Sequence, residues 1–203
     1  MSKKLIILGG GESGVGAALL AKQHGYDIFL SDGGVLKEKY RKELSEAGIA
    51  FEEGTHTVDK VLAADEVVKS PGIPEKNELV KAIRAKGIPV ISEVELAYRF
   101  KGNSKIIAIT GSNGKSTTTA LIYHICKTAD FDCALVGNIG YSFAKQVAED
   151  PKEWYVLEIS SFQLDDIQTF RADVSVLLNI TEDHLDRYCL LYTSDAADDL
   201  LCV

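Results

Sequence analysis

Short apolar runs alternate with amphipathic stretches over the first ninety residues of the chain. The runs in KLIILGG and DIFLSD predict buried strands, and VGAALLAKQHG between them predicts a helix that ends at Gly25. RKELSEAG and NELVKAIRAKG predict further helices, while EVVKSPGIP and IPVIS predict strands. Because strands that alternate with helices pair as parallel sheets with crossover helices, we predict an α/β domain here.

The same alternation resumes after a helical EVELAYRF and a polar KGNS. An apolar run at 106–109 predicts a strand, while the stretch 117–127 and SFAKQVAED predict helices. CALVGNIG, WYVLEIS and DVSVLLNI predict the remaining strands. We therefore expect two domains, 1–92 and 93–188, with their boundary between 92 and 104.

A G-x-G-x-x-G pattern, made by Gly9, Gly11 and Gly14, lies between the first predicted strand and helix, and Asp32 closes the next strand. Such glycines admit a pyrophosphate to the helix N-terminus, and the acid binds a ribose hydroxyl. The pattern makes an NAD-dependent oxidoreductase one hypothesis. The same loop would equally hold the diphosphate of another nucleotide such as UDP, and close strand–helix packing alone would also explain the glycines.

The stretch TGSNGKSTT ends the apolar run at 106–109 and opens the next predicted helix. Lys115, Ser116 and Thr117 stand where a phosphate loop has its lysine and its hydroxyl groups. The usual G-x-x-x-x-G-K-[ST] spacing fails at its first glycine, since Ile109 occupies that position. An Asn-Gly turn with an incidental lysine is the alternative. The strand before the loop and the helix after it favour phosphate binding.

Two later strands end in groups that bind divalent cations. Glu158 ends the strand WYVLEIS, where a carboxylate beside a phosphate loop would hold Mg²⁺. NITEDHLDRY follows the strand DVSVLLNI and contains Asp183, His184 and Asp186. A solvated turn with a structural histidine would explain this cluster in isolation. Its position at a second strand end favours a site that binds a divalent metal and the substrate.

Composition narrows the class of protein. The 203 residues are 46% hydrophobic and 26% charged, as in ordinary globular domains. A formal net charge of −8 provides no general basic surface, so we expect no nucleic-acid partner. The sequence has no apolar run of about 18 residues and no signal-peptide pattern, so we expect no membrane partner. The four cysteines form no C-x-x-C pair, which favours the reducing cytoplasm.

The chain resembles the Mur ligases, the ATP-dependent amide ligases of peptidoglycan precursor synthesis. The resemblance covers residues 3–188 and rests on TGSNGKSTT, VGNIG, LEISSFQL and NITEDHLDRY, in the order and approximate spacing of that family. The nucleotide loop of the family also lacks the first P-loop glycine. SSFQL resembles the branch that joins D-glutamate to UDP-N-acetylmuramoyl-L-alanine. This implies a Rossmann-like domain followed by the first part of a P-loop ATPase domain.

The resemblance also implies a role for each candidate residue. Lys115 and His184 would be catalytic, with Lys115 on the β- and γ-phosphates of ATP. The ATP-binding loop would comprise Gly111, Ser112, Asn113, Gly114, Lys115, Ser116 and Thr117. Ser116 and Glu158 would hold the Mg²⁺ that bridges those phosphates, and His184 would hold a second Mg²⁺ near the acyl group. The UDP-sugar substrate would contact Glu12, Ser13, Gly14, Asp32, Gly33, Gly72, Asn138 and His184.

The implied reaction phosphorylates the alanyl carboxylate with ATP, after which the amine of D-glutamate displaces phosphate. Full family members are longer, and we expect them to be monomers. They supply a carbamylated lysine and a C-terminal domain, which the tail 189–203 does not resemble.

We therefore expect a truncated ligase that is inactive alone and whose second sheet has an apolar, unpaired edge. The alternatives are an NAD-dependent oxidoreductase, a non-catalytic UDP-ligand-binding fragment, and a relative that adds another amino acid or adds glutamate to folate.

Overall fold

The computed structural model describes residues 2–182. The first half of the chain forms one sheet together with its crossover helices. Its elements, in chain order, are β1 (Lys4–Leu8), α1 (Glu12–Gln23), β2 (Asp27–Asp32), α2 (Glu38–Glu46), β3 (Ala50–Glu53), α3 (Val58–Val61), β4 (Glu66–Lys69), α4 (Glu78–Ala85) and β5 (Val90–Ile91).

The second half forms another sheet. Its elements are α5 (Glu93–Phe100), β6 (Lys105–Thr110), α6 (Lys115–Thr128), β7 (Cys133–Gly137), α7 (Phe143–Glu149), β8 (Trp154–Glu158), α8 (Ser161–Leu164) and β9 (Val174–Leu177). The strand order is β3-β2-β1-β4-β5 in the first sheet and β7-β8-β6-β9 in the second, and all these pairings are parallel. The predicted fold class is confirmed.

Three short elements were missed in the sequence: β3, α3 and α8. β3 reads AFEE, which lacks the apolar run of a buried strand because β3 lies at the edge of its sheet. α8 is a single turn within SSFQL, where Ser160 and Gln163 form a capping box. α6 begins at Lys115, two residues before the predicted start, because Gly114 adopts φ +86° and caps it.

The order of the first sheet reverses beside β1, whose neighbours are β2 and β4. Ligands of open parallel sheets bind outside the carboxyl ends of the strands at such a reversal. Here the glycine loop after β1 meets the turn after β4. A Cβ atom on Gly9 would lie 2.5 Å from the hydroxyl oxygen of Ser70. We call the space at this edge of the first sheet the substrate crevice.

The two halves meet where α7 packs across α1. Gly16 permits the approach, because a Cβ atom there would lie 2.2 Å from Ser142 Oγ and 3.0 Å from Lys145 Cβ. Ser142 donates its hydroxyl to Glu93 at 2.7 Å and its backbone N–H to Glu12 at 3.3 Å. The segment after β7 is thereby fixed against the first turn of α1, which begins at the substrate crevice.

Helix α5 contacts α1, β4 and α7, and it also anchors the segment after α8. The buried carboxylate of Glu95 accepts hydrogen bonds from the backbone N–H groups of Gln168, Thr169 and Phe170 at 2.9–3.0 Å. Burial alone would raise the pKa of Glu95, but these bonds outweigh it and lower that pKa to about 2.

The outer strand β9 exposes apolar side chains. Val174 is 47% exposed and Leu177 is 60% exposed, and Ile180 just after the strand is 42% exposed. An apolar edge on the second sheet was predicted, and these residues provide it. Within residues 2–182, no helix combines the length and the apolar character needed to cross a bilayer.

We expect Glu95→Gln to lower the free energy of unfolding at pH 7 by up to about 3 kcal/mol, because a neutral amide accepts these hydrogen bonds less strongly. The folded-state pKa lies below the unfolded value, so this contribution is present above about pH 4.5 and disappears as pH falls toward 2. Urea unfolding at pH 7 and pH 3 measures it. The control is Glu78→Gln at an 88% exposed side chain, with an expected change below about 0.5 kcal/mol. An equal loss at both pH values would contradict the electrostatic role.

Candidate functional site

The loop after β1 is closed by a contact that requires glycine. A Cβ atom on Gly14 would lie 1.9 Å from the carbonyl oxygen of Gly9, which itself has φ +95°. Gly11 precedes α1 as its N-cap, and open space surrounds its Cβ position. The first N–H groups of α1 begin at this loop, so the loop has the dipole and the donors to bind an anion.

Asp32, predicted to bind the substrate, also holds the two loops at the crevice. Its Oδ2 accepts a hydrogen bond from the N–H of Gly10, and its Oδ1 accepts one from the N–H of Gly34 at 2.7 Å. Gly33 lies between Asp32 and Gly34. Both carboxylate oxygens of Asp32 therefore already have donors from the protein backbone.

The other predicted substrate residues of the first half also lie at this edge. Glu12 and Ser13 form the first turn of α1 and are half-buried. Gly72 lies in the turn after β4, which is closed by a hydrogen bond from Ile73 N to Ser70 O at 3.0 Å. Nothing lies within 4 Å of a Cβ atom built on Gly72. The structure therefore brings the predicted UDP residues to one edge of the first sheet.

Lys69 was not predicted to be a site residue, and its side chain is fully buried at the end of β4. Its ammonium group donates to Ile73 O at 3.2 Å and pairs with Asp166 at 3.0 Å and Glu75 at 3.1 Å. Arg84 also binds both acids, and its hydrogen bond lowers the pKa of Glu75 to about 2. The charges tie the turn after β4 to the segment after α8. A lysine that directly follows the apolar residues Val67 and Val68 of a predicted strand could have indicated this role.

Two glycines in the left-handed region shape the loop between β6 and α6. Gly111 has φ +136° and Gly114 has φ +86°. Gly114 caps α6, so the helix N-terminus opens at the loop. Lys115 Nζ donates to the carbonyl oxygens of Gly111 at 2.6 Å and Ser112 at 3.0 Å. The ammonium group therefore lies against the loop that a phosphate would enter.

The residues after β9 support this loop. Asn179 accepts hydrogen bonds from Asn113 N at 2.9 Å through Oδ1 and from Ser112 N at 3.0 Å through its carbonyl. Ser112 Oγ donates to Thr181 O at 3.0 Å. Asn179 was given no role in the sequence-based prediction, although a polar residue shortly after the apolar part of DVSVLLNI could have indicated one.

Glu158 ends β8 and is 1% exposed. It pairs in register with Ile109 of β6, so it lies at the same sheet edge as the phosphate loop. Its Oε1 accepts a hydrogen bond from Asn138 Nδ2 at 2.8 Å. Its Oε2 is buried and has no hydrogen-bond partner among the described residues. A buried carboxylate oxygen without a donor is costly unless a cation or another donor binds it.

These residues fit Mg²⁺. In nucleotide sites the ion binds one or two protein oxygens together with phosphate oxygens and water. Glu158 offers a carboxylate oxygen, and Ser116 and Thr117 are exposed hydroxyls at the start of α6. Over 2–182, no group of three or more His, Cys, Asp or Glu side chains is arranged to hold a metal. The donor set suits an ion that shares its shell with a ligand phosphate.

Some predictions fall elsewhere. His184 was predicted to bind the second Mg²⁺ and to be catalytic, and both His184 and the tail 189–203 lie outside the described residues. A surface pocket lined by Lys105, Lys152 and Trp154, among others, lies at the amino ends of β6 and β8. That edge is opposite the phosphate loop, and parallel sheets bind ligands at the carboxyl ends of their strands.

Two family models match the chain. The MurD N-terminal domain matches residues 4–79, and the Mur ligase middle domain matches residues 109–191. The chain belongs to the Mur ligase family. The matches follow one another along the chain and include both loops described above.

Two curated relatives carry the same name. The UDP-N-acetylmuramoylalanine--D-glutamate ligase of Cytophaga hutchinsonii is 59% identical over 189 residues, which are 93% of this chain and 42% of that protein. The ligase of the same name from Bacteroides fragilis is 57% identical over 186 residues, which are 92% of this chain and 42% of that protein. This Mur ligase chain thus spans less than half the length of these curated relatives.

Solved Mur ligase structures share the fold. The UDP-N-acetylmuramate:L-alanyl-gamma-D-glutamyl-meso-diaminopimelate ligase from Neisseria meningitides has a TM-score of 0.61 at 21% identity, covering 94% of this chain and 64% of that one. A murein peptide ligase from Psychrobacter arcticus has a TM-score of 0.55 at 21% identity, covering 91% and 44%. At such low identity the likeness concerns architecture alone.

We expect Gly14→Ala to destabilise the first half by about 2 kcal/mol or more, because its methyl group would meet the Gly9 carbonyl at 1.9 Å. The matched control in the same loop is Gly11→Ala, which meets nothing within 4 Å. Urea unfolding of both variants compares them. Equal stability of the two would show that the loop relaxes freely and that its shape does not depend on Gly14.

Proposed function

We propose that this chain forms the UDP-substrate and ATP sites of an ATP-dependent ligase that adds D-glutamate to UDP-N-acetylmuramoyl-L-alanine. The observation that carries the proposal is the position of Glu158. Its bare buried oxygen lies at the same sheet edge as the loop of Lys115. The substrates in this proposal are inferred from the names of the relatives above.

The ATP subsite is proposed at the loop before α6. The N–H groups of Gly111 to Ser116 and the ammonium group of Lys115 would neutralise the phosphates of ATP. Glu158 and Ser116 would hold Mg²⁺, and bound Mg²⁺ would draw charge from the β- and γ-phosphates. The predicted second ion at His184 belongs to the same proposal.

The UDP-sugar would occupy the substrate crevice. Its diphosphate would lie at the start of α1, with Glu12, Ser13 and Gly14 beside it and Gly33 and Gly72 at its margins. Asn138 supports this arrangement, because it follows β7 and bonds Glu158 while the neighbouring Ser142 contacts Glu12. A substrate that runs from the crevice past Asn138 would bring its alanyl carboxylate toward the ATP subsite.

The reaction requires an activated carboxylate. The alanyl carboxylate would attack the γ-phosphorus of ATP, which releases ADP and leaves an acyl phosphate. The amine of D-glutamate would then attack the acyl carbon, lose a proton and expel phosphate. The protein groups position the reactants and neutralise their charge. The proposed enzyme is a monomer located in the cytoplasm. The buried thiols of Cys126 and Cys133 are free, as is usual in that reducing compartment.

An NAD-dependent oxidoreductase is the competing function. It would use the glycine loop after β1 and would leave Lys115 and Glu158 without a role. Calorimetric titration of the chain with UDP-N-acetylmuramoyl-L-alanine and with NADH separates the two. We expect binding of the UDP-sugar and none of NADH at equal concentration. The reverse order of affinity would overturn the proposal.

We expect Lys115→Ala to weaken Mg·ATP binding by this chain at least about tenfold, because a desolvated cation on the phosphates is lost. In a chimaeric enzyme, in which this chain is joined to the remaining residues of a full-length relative, Lys115→Ala should lower the turnover number about 10²–10³-fold. The control is Lys127→Ala at the exposed far end of the same helix. Calorimetry measures ATP binding, and equal affinity of both variants would contradict the role of Lys115.

A further inference from the structure

A chain of hydrogen bonds crosses the ends of β2 and β3 at the substrate crevice. Ser31 Oγ lies 2.7 Å from Glu52 Oε1 and 2.7 Å from His56 Nδ1. Glu52 also accepts hydrogen bonds from the N–H and the hydroxyl of Thr57. Ser31 is fully buried, so these partners determine where its single proton lies.

The charge of Glu52 determines the direction of the chain. Burial would raise its pKa, but the bonds from Thr57 and Ser31 outweigh burial and lower it. The carboxylate is therefore ionised near neutral pH and only accepts hydrogen bonds. Ser31 must donate its proton to Glu52, so its oxygen accepts from the Nδ1–H of His56. In the neutral imidazole the other nitrogen, Nε2, is then an acceptor.

That acceptor lies where a nucleoside would bind. His56 Nε2 is 3.0 Å from the Cβ position of Gly33, the residue directly after Asp32 at the end of β2. In dinucleotide folds the residue that closes β2 contacts the ribose. Both oxygens of Asp32 already accept backbone N–H groups, and no described residue donates to His56 Nε2.

We propose that His56 is a specificity-determining residue of the nucleotide subsite, and that its Nε2 accepts a hydrogen bond from the nucleoside of the UDP substrate. The donor is either a ribose hydroxyl or the imide N–H of uracil. The inference rests on the proposed function, because it takes the substrate crevice as the UDP site. Ser31 and Glu52 act as positioning residues that hold the ring in the tautomer with a proton on Nδ1.

Two substitutions separate this role from a structural one. In His56→Asn the side-chain amide can still donate to Ser31, but the distal acceptor is lost. In His56→Gln the longer side chain carries an acceptor near the position of Nε2. Both variants should keep the melting temperature of the parent chain within about 2 °C, as expected of a half-buried surface residue.

The test is calorimetric titration of the chain and both variants with UDP. We expect affinity for UDP to fall about five- to tenfold in His56→Asn and less than about threefold in His56→Gln. Titrations with 2′-deoxy-UDP, 3′-deoxy-UDP and N3-methyl-UDP identify the donor. The parent chain should bind one of these analogues more weakly than UDP, and His56→Asn should lose that difference.

Parent-like UDP affinity in His56→Asn, or unchanged discrimination among the analogues, would overturn the role of His56 and leave the proposed function standing. A parent chain that binds NADH and not UDP would overturn the proposed function, and the role of His56 with it.

Discussion

The close approach of α1 to its neighbours is the constraint on which the rest of the structure depends. A side chain at position 14 would collide with the Gly9 carbonyl, and one at position 16 would collide with Ser142. With glycine at both positions, the short loop after β1 can lead into α1, and α1 can pack against α7 of the second half. One helix therefore both begins at the substrate crevice and fixes the segment that follows β7.

Buried charges reinforce this arrangement. Four charged side chains are nearly inaccessible to solvent, and each bonds to a segment that is distant from it in the chain. They are Lys69, Glu93, Glu95 and Asp166. Burial raises the pKa of Glu93, whereas donors lower the pKa of Glu95. Burying such groups costs desolvation energy, and a mispaired arrangement costs far more. These buried charges favour one relative position of the two sheets over others. The phosphate loop and the substrate crevice need such a fixed position if they serve one reaction.

The sequence was most informative where the apolar pattern of an element and the residue types of the adjoining loop indicate the same structure. Apolar runs in KLIIL and WYVLE predicted strands, and both glycine loops were recognised because their residues precede helices. Lys69 and Asn179 were missed, since their partners Asp166 and Asn113 lie far away in sequence. The edge strand β3 was missed because only its fold neighbours distinguish AFEE from a loop. Local patterns cannot report contacts that form only when distant segments pack.

The most direct measurement of the central claim is equilibrium dialysis of the chain with labelled UDP-N-acetylmuramoyl-L-alanine and Mg·ATP, first separately and then together. Two sites at the edges of two different sheets predict that each ligand binds with one molecule per chain and that neither displaces the other. Displacement of the UDP-sugar by Mg·ATP, or a single site shared by both ligands, would contradict the division of the chain into a substrate crevice and a phosphate loop.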